Sequence, residues 1–144
     1  NDLHRVSEPD SVQVPELCRL ESHAAVHHLT SVVTARLRKD RDAVDLLEAT
    51  FPGGSISGAP KLRALEILAE LEPVRRGVYC GAIGWLGDDG AMELNLAIRT
   101  ATLTDGIAAV HAGGGITALS DPEAEYQETL DKARALLDAL EAMA

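Results

Sequence analysis

Between residues 27 and 37 apolar and polar side chains alternate with a period of two, the pattern of an extended strand. His28, Thr30, Val32, Thr34 and Arg36 share one face; His27, Leu29, Ser31, Val33, Ala35 and Leu37 share the other, which is more apolar and is expected to pack inward. A shorter alternation from Ser11 to Leu17, carried by Val12 and Val14, predicts a strand ended by Pro15. Asp40 or Asp42 can cap a short helix that turns Ala43, Leu46 and Leu47 toward a core. The period becomes helical after residue 60, where Leu62, Leu65, Leu68 and Leu71 form an apolar stripe with Ala64 and Ala69, opposite Lys61, Arg63, Glu66 and Glu70. Pro73 and Gly77 close that helix.

Residues 78–86 are apolar on both alternating faces, which predicts a central strand covered on both sides; Gly81 and Gly84 leave room for something bulky against its backbone. The turn Gly87-Asp88-Asp89-Gly90 leads into a strand over 91–103, with Met92, Leu94, Leu96 and Ile98 opposing Glu93, Asn95, Ala97 and Arg99. Thr104-Asp105-Gly106 turns the chain into a third strand that ends at Gly113-Gly114-Gly115. A hairpin centred on Asp105 sets Arg99 opposite His111, one pleat from Gly113. The last element is a helix capped by Ser120 or Asp121, with Pro122 in its first turn and Glu123 available for a capping box. Tyr126, Leu130, Ala133, Leu137 and Leu140 fall on one stripe of it, and Glu125, Glu128 and Lys132 on another. This order of elements predicts an α+β fold of mainly antiparallel strands with helices on their outer faces.

Composition narrows the function classes. The 13 basic against 23 acidic residues, net charge −10, argue against nucleic acid or an anionic membrane as partner. No apolar run approaches the roughly 20 residues needed to cross a bilayer, so a soluble protein is expected. Two cysteines, Cys18 and Cys80, make neither a disulfide framework nor a zinc site and fit a reduced, cytoplasmic setting.

Chemistry concentrates in a few stretches. Phe51 to Lys61, F-P-G-G-S-I-S-G-A-P-K, is a glycine-rich loop that runs at once into a helix, with Pro60 suited to the first helical position. Such a loop either approaches an anion at the helix start or only serves turn geometry. It is not a nucleotide P-loop, because Gly58 is followed by Ala59 and Pro60 rather than by Lys. Arg99 needs an anionic partner, which is either a protein carboxylate or a ligand carboxylate. Arg75 and Arg76 read as solvated charges that favour the preceding helix dipole. On spacing alone, His28 is a structural histidine and the Glu125, Glu128, Lys132 face a solvated charge ladder.

Six stretches in order change that reading: HHLTSVV at 27–33, FPGGSISGAPK at 51–61 with its sequel LRALEILAELEPVRRG, YCGAIGW at 79–85, LAIRT at 96–100, AGGGI at 112–116 and DPEAEYQETLDKA at 121–133. Together they resemble the chorismate-utilising enzymes, which include anthranilate synthase component I, aminodeoxychorismate synthase component I and the isochorismate and salicylate synthases. The resemblance runs through nearly all 144 residues and implies the C-terminal part of a single two-sheet chorismate-binding catalytic domain. It implies that His28 stands near the scissile C–O bond and that Ser55 hydrogen-bonds the substrate. Tyr79 and Arg99 would hold the enolpyruvyl carboxylate, with the backbone of Gly113, Gly114 and Gly115 lying along the substrate. Glu128 would be a Mg2+ ligand, Glu125 its direct or water-bridged neighbour, and Lys132 a partner of the ring carboxylate.

Gly53-Gly54-Ser55, the paired histidines and the triple glycine look most like the aminodeoxychorismate synthases, which aminate chorismate at C4 for folate synthesis with ammonia from a glutamine amidotransferase partner. Anthranilate synthase component I, which places the amine at C2 and expels pyruvate, is the alternative within the family; a noncatalytic chorismate-binding remnant is the alternative outside it. The family's upstream metal-binding glutamate and the nucleophilic lysine of the aminodeoxychorismate synthases are not among these residues. The 144-residue piece is therefore expected to be inactive alone and to self-associate through uncovered strand faces.

Overall fold

The computed structural model describes residues 1–22 and 27–143, and the chain divides into two compact units, residues 1–51 and 52–144. Every strand pairing is antiparallel and every sheet two-stranded.

In the first unit a 3-10 turn at Leu3–Arg5 precedes β1 (Gln13–Ser22), which pairs with β2 (His27–Thr34), and α1 (Ala43–Thr50) follows. Pro15 does not end β1. It falls in the first of two register shifts, between Gln13 and Glu16, where the ladder needs no N–H from it. The second shift, between Glu16 and Arg19, holds Cys18 at φ 50°, and its N–H donates to Ser31 Oγ at 2.9 Å in place of a ladder bond. The apolar face of β2 does not pack inward: Leu29 is 72% exposed and Val33 48%. Two strands make one layer, and among the described residues of this unit no further strand joins them. Asp42, not Asp40, caps α1, accepting from the N–H groups of Val44 and Asp45 while Asp45 accepts from that of Asp42. Among the described residues of this unit, Val6 and Ala49 are the buried apolar ones.

The second unit contains α2 (Gly54–Ser57), α3 (Lys61–Leu71), the hairpin β3 (Ala82–Leu86) and β4 (Met92–Leu96), the hairpin β5 (Thr100–Thr104) and β6 (Ile107–His111), and α4 (Pro122–Glu141). The glycine-rich loop thus contains a helical turn of its own, and Pro60 is the N-cap of α3 rather than its first residue. Leu62 and Leu71 are 78% and 74% exposed, while Lys61, Ala64, Leu65 and Leu68 form the covered side of α3. A three-residue spacing precesses by about 60° per step, so leucines nine residues apart end on opposite sides of the helix.

The strand expected over 78–86 begins only at Ala82, after a turn through Gly77–Cys80 with Cys80 at φ 65°, and both its faces are open. Gly84 is required by its neighbour strand: a Cβ there would lie 1.9 Å from the carbonyl oxygen of Glu93. The strand expected over 91–103 is broken between β4 and β5 by Arg99 at φ 50°. Asp105 and Gly106, both at positive φ, form a two-residue turn, so the hairpin centres between them and Thr100 rather than Arg99 pairs with His111. Asp121 caps α4 by accepting from Ala124 N–H, which makes Ala124 the third helical residue and excludes Glu123 from a capping box. The expected apolar stripe of α4 is covered at Ala133 and Leu140 but open at Tyr126, Leu130 and Leu137; Glu125, Thr129, Lys132 and Leu136 are its other better-covered positions.

Candidate active site

The second unit encloses a cleft of about 470 Å3. Ser55 to Gly58 come from α2 and its end, Leu68 and Glu72 from α3 and its C-cap, and Arg76, Tyr79 and Cys80 from the segment before β3. Ile98 and Arg99 enter from the break between β4 and β5, Ala112 to Ile116 from the segment after β6, and Lys132 from α4. Of the residues singled out in the sequence, Ser55, Tyr79, Arg99, Gly113, Gly114, Gly115 and Lys132 all line this one cleft.

The backbone explains how Arg99 arrives there. Ala97 exchanges hydrogen bonds with the other hairpin arm, accepting from Cys80 N–H at 2.8 Å and donating to Gly81 carbonyl at 2.8 Å. The left-handed residue two positions later then turns the chain out of the ladder. Among the described residues, the part-buried Arg99 side chain makes no ion pair or hydrogen bond. Its anion is therefore not a protein carboxylate of the described residues.

At the opposite end of the element order, α4 delivers Glu125, Glu128 and Lys132 to the glycine segment. Lys132 Nζ donates to the Gly113 carbonyl at 3.3 Å and pairs with Glu128 Oε1 at 2.5 Å. Glu125 Oε1 accepts from the Ser120 hydroxyl at 2.6 Å. A Cβ placed on Gly114 would meet Glu125 Oε2 at 3.0 Å, Lys132 Nζ at 3.7 Å and Glu128 Oε1 at 3.8 Å, so the three side chains of the sequence-predicted stripe converge on one glycine. Two carboxylates beside an open backbone suit a hard divalent cation such as Mg2+, which commonly takes one or two protein carboxylates and leaves the remaining positions to water and substrate. Among the described residues no third acidic, histidine or cysteine ligand joins them.

A second cluster was not anticipated. Glu72 grips Arg76 with two prongs, Nε to Oε2 at 2.8 Å and Nη2 to Oε1 at 2.5 Å. The guanidinium carbon lies 5.7 Å from the centre of the Tyr79 ring, and that ring stacks on His111 at 5.6 Å and 15°. The Arg76 hydrogen bond lowers the Glu72 carboxyl from its ordinary value, and the same bond raises Arg76. Burial raises the Tyr79 phenol, reinforced by Cys80 and opposed by the charge of Arg76. Arg76 is thus not a solvated helix-end charge. The four-residue spacing of Glu72 and Arg76 held the signal for the pair; the stack on His111 is long-range and left no sequence trace.

His28 stands on β2 in register with Glu21, and its side chain lies outside the described residues. None of the helices among the described residues is long and apolar enough to cross a membrane.

The model of the chorismate binding enzyme family matches residues 1–138. Aminodeoxychorismate synthase component 1 of Salmonella typhimurium is 56% identical over 98% of this chain, and anthranilate synthase component 1 of Streptomyces coelicolor is 54% identical over 97%. The chain spans 31% and 27% of the lengths of those two relatives. Among solved structures, anthranilate synthase component I from Streptococcus pneumoniae aligns with 93% of the chain and 31% of its own length, at 50% identity and TM-score 0.86, in agreement with the α+β fold of small antiparallel sheets. This chain belongs to the chorismate binding enzyme family.

Proposed function

We propose that the protein containing these residues is component I of an aminodeoxychorismate synthase, aminating chorismate at C4 with ammonia from a glutamine amidotransferase partner in a Mg2+-dependent reaction of folate synthesis. Residues 1–144 would be one part, the C-terminal one, of its catalytic domain. The observation that carries the reading is an arginine without a protein partner among the described residues, Arg99, in the same cleft as Lys132 and the Gly113–Gly115 backbone. Chorismate has two carboxylates; of the three cationic groups that line the cleft, Arg76 is held by Glu72, which leaves Arg99 and Lys132 to receive them.

In this reading Arg99 and the Tyr79 hydroxyl hold the enolpyruvyl carboxylate, and the open glycine backbone lets the substrate approach closely. Lys132, already turned to the Gly113 carbonyl, faces the ring carboxylate. Glu125 and Glu128 would hold Mg2+, which when bound supplies Lewis-acid polarisation and a template for the carboxylate. Ser55 orients the ring by hydrogen bonding, and His28 gives a proton to the departing hydroxyl oxygen. Amination at C4 rather than C2 is supported by Gly53-Gly54-Ser55 and by the triple glycine, while 54% identity to an anthranilate synthase component keeps C2 amination as the second reading.

The test is to incubate the full-length protein with chorismate, ammonium and Mg2+ and identify the product by mass and fluorescence. Retention of the enolpyruvyl group with an amine at C4 is expected. Release of pyruvate with a 2-amino benzoate would establish the second reading. Calorimetric binding of chorismate without turnover would identify a noncatalytic binder.

A further inference from the structure

We infer that the Glu72–Arg76 pair is a positioning device for the substrate cleft: it clamps the Tyr79 ring against His111 and so fixes the phenol hydroxyl beside Gly113. The inference rests on the reading of Tyr79 as a carboxylate ligand. A tyrosine on a turn has two free side-chain torsions, and this one sits in the turn before β3, its own N–H donating to the Arg76 carbonyl at 3.1 Å. Its direction must be set by contacts from outside the turn.

Two groups supply them: the Arg76 guanidinium carbon lies over the ring at 5.7 Å from its centroid, and the His111 ring stacks on it at 5.6 Å. The hydroxyl then reaches the position where a Gly113 Cβ would come within 3.2 Å of it. A free arginine is a poor clamp because its side chain has many rotamers. Here Glu72, at the C-cap of α3, fixes the guanidinium plane through a two-pronged pair, leaving Arg76 28% exposed at its side chain. The pairing absorbs two of the guanidinium's donor directions and so holds its carbon over the ring. Rigidity therefore passes from a helix end, through an ion pair, to an aromatic ring, and from there to a hydroxyl at the glycine backbone.

The experiment uses the full-length protein and four forms: wild type, Arg76→Ala, Tyr79→Phe and the double variant, with chorismate kinetics in saturating ammonium and Mg2+. Arg76→Ala should raise KM for chorismate about 2- to 30-fold, the span of a cation over an aromatic face, while kcat changes far less. The double variant should be little worse than Tyr79→Phe alone, because Arg76 acts only through the phenol. Independent losses that multiply, or a loss confined to kcat, would overturn the inference. A second readout does not depend on turnover: the phenolate absorbance difference between each Tyr79 form and its Tyr79→Phe counterpart isolates this one phenol. Its titration should move to higher pH when Arg76 is removed, since a nearby positive charge favours phenolate. An unmoved titration overturns the clamp even if the protein aminates chorismate. If Tyr79→Phe leaves KM unchanged in an enzyme that turns chorismate over, the carboxylate assignment fails and the inference with it. Should Arg76→Ala not fold, Glu72→Gln, which loosens the fork and keeps the cation, must raise KM in the same direction, and no rise overturns the clamp.

Discussion

Replacing Arg99 should separate activity from stability in opposite directions. Two variants make the point: Arg99→Ala and Arg99→Gly. The side chain lines the cleft and has no partner among the described residues, so removing it breaks no internal ion pair there. Its backbone stands at φ 50°, a conformation that costs an L residue about 1 to 2 kcal/mol. Alanine keeps that cost, whereas glycine relieves it and gives back about 0.5 to 1 kcal/mol as extra freedom of the unfolded chain. Arg99→Gly should therefore be as stable as wild type or up to about 1 kcal/mol more stable, and Arg99→Ala about equal to wild type. Activity should fall in both. Loss of one member of a part-buried charge pair costs about 2 to 5 kcal/mol of binding. At about 1.4 kcal/mol per decade that is roughly 30- to 4,000-fold in kcat/KM, toward the lower end because Arg99 is only part-buried. Chorismate kinetics and a urea melt of the full-length variants measure the two quantities side by side. A folded Arg99→Gly protein with kcat/KM within about threefold of wild type would refute the ligand-carboxylate assignment. A stability loss well beyond 1 kcal/mol in both variants would show instead that the side chain holds the fold.

Glu128→Gln should remove Mg2+-dependent turnover, whereas Glu123→Gln, at the exposed second position of α4, should leave it intact; equal losses would mean that the helix face is misassigned. Neither change should move the melting temperature much, because the Glu128–Lys132 pair leaves Glu128 54% exposed at its side chain. Glu72 titrates below its ordinary value because Arg76 donates to it, so its contribution to stability is complete above the usual carboxylate range and is lost as pH falls through the lowered value. Melts at descending pH should accordingly show a shallower acid decline for Glu72→Gln than for wild type, and parallel curves would discount the pair. Residues 1–144 purified alone should sediment above monomer mass, because Ile83, Trp85 and Leu86 on β3 and Leu29 on β2 are all largely exposed; a clean monomer at high concentration would count against this.

What could be read from the chain follows the range of each signal. Turn chemistry is local, so the Asp-Gly hairpin, the cap at Asp121 and the span of α3 were legible. The hairpin register was missed by half a residue pair, because one positive-φ residue and two give different centres. The kink at Arg99 was hidden for another reason. Alternation continued unbroken through Ile98 and Arg99, and nothing in a period-two pattern marks where a backbone leaves its ladder. Apolarity on both faces of β3 was read as burial, and the described structure leaves those faces open, since hydrophobic pattern reports what a strand can cover rather than what lies over it. Of the candidate site, the α4 stripe was visible as spacing, and its meaning came only when Gly114 was seen to face all three side chains. The stack of Tyr79 on His111 spans 32 positions in the chain and has no periodicity to betray it.

The cleft is also a thermodynamic element. Ala97 and Ala133 are the buried apolar side chains described in residues 52–143, so this unit has little hydrophobic interior of its own. The cleft instead draws its walls from segments scattered between Ser55 and Lys132, each attached to a different helix, turn or hairpin. A ligand that fills it would touch several of them at once and add contacts that this small interior lacks. Occupancy and folding then become one equilibrium: a ligand at a hundred times its Kd deepens the native state by about 2.7 kcal/mol, and does so for every segment that touches the cleft rather than for one.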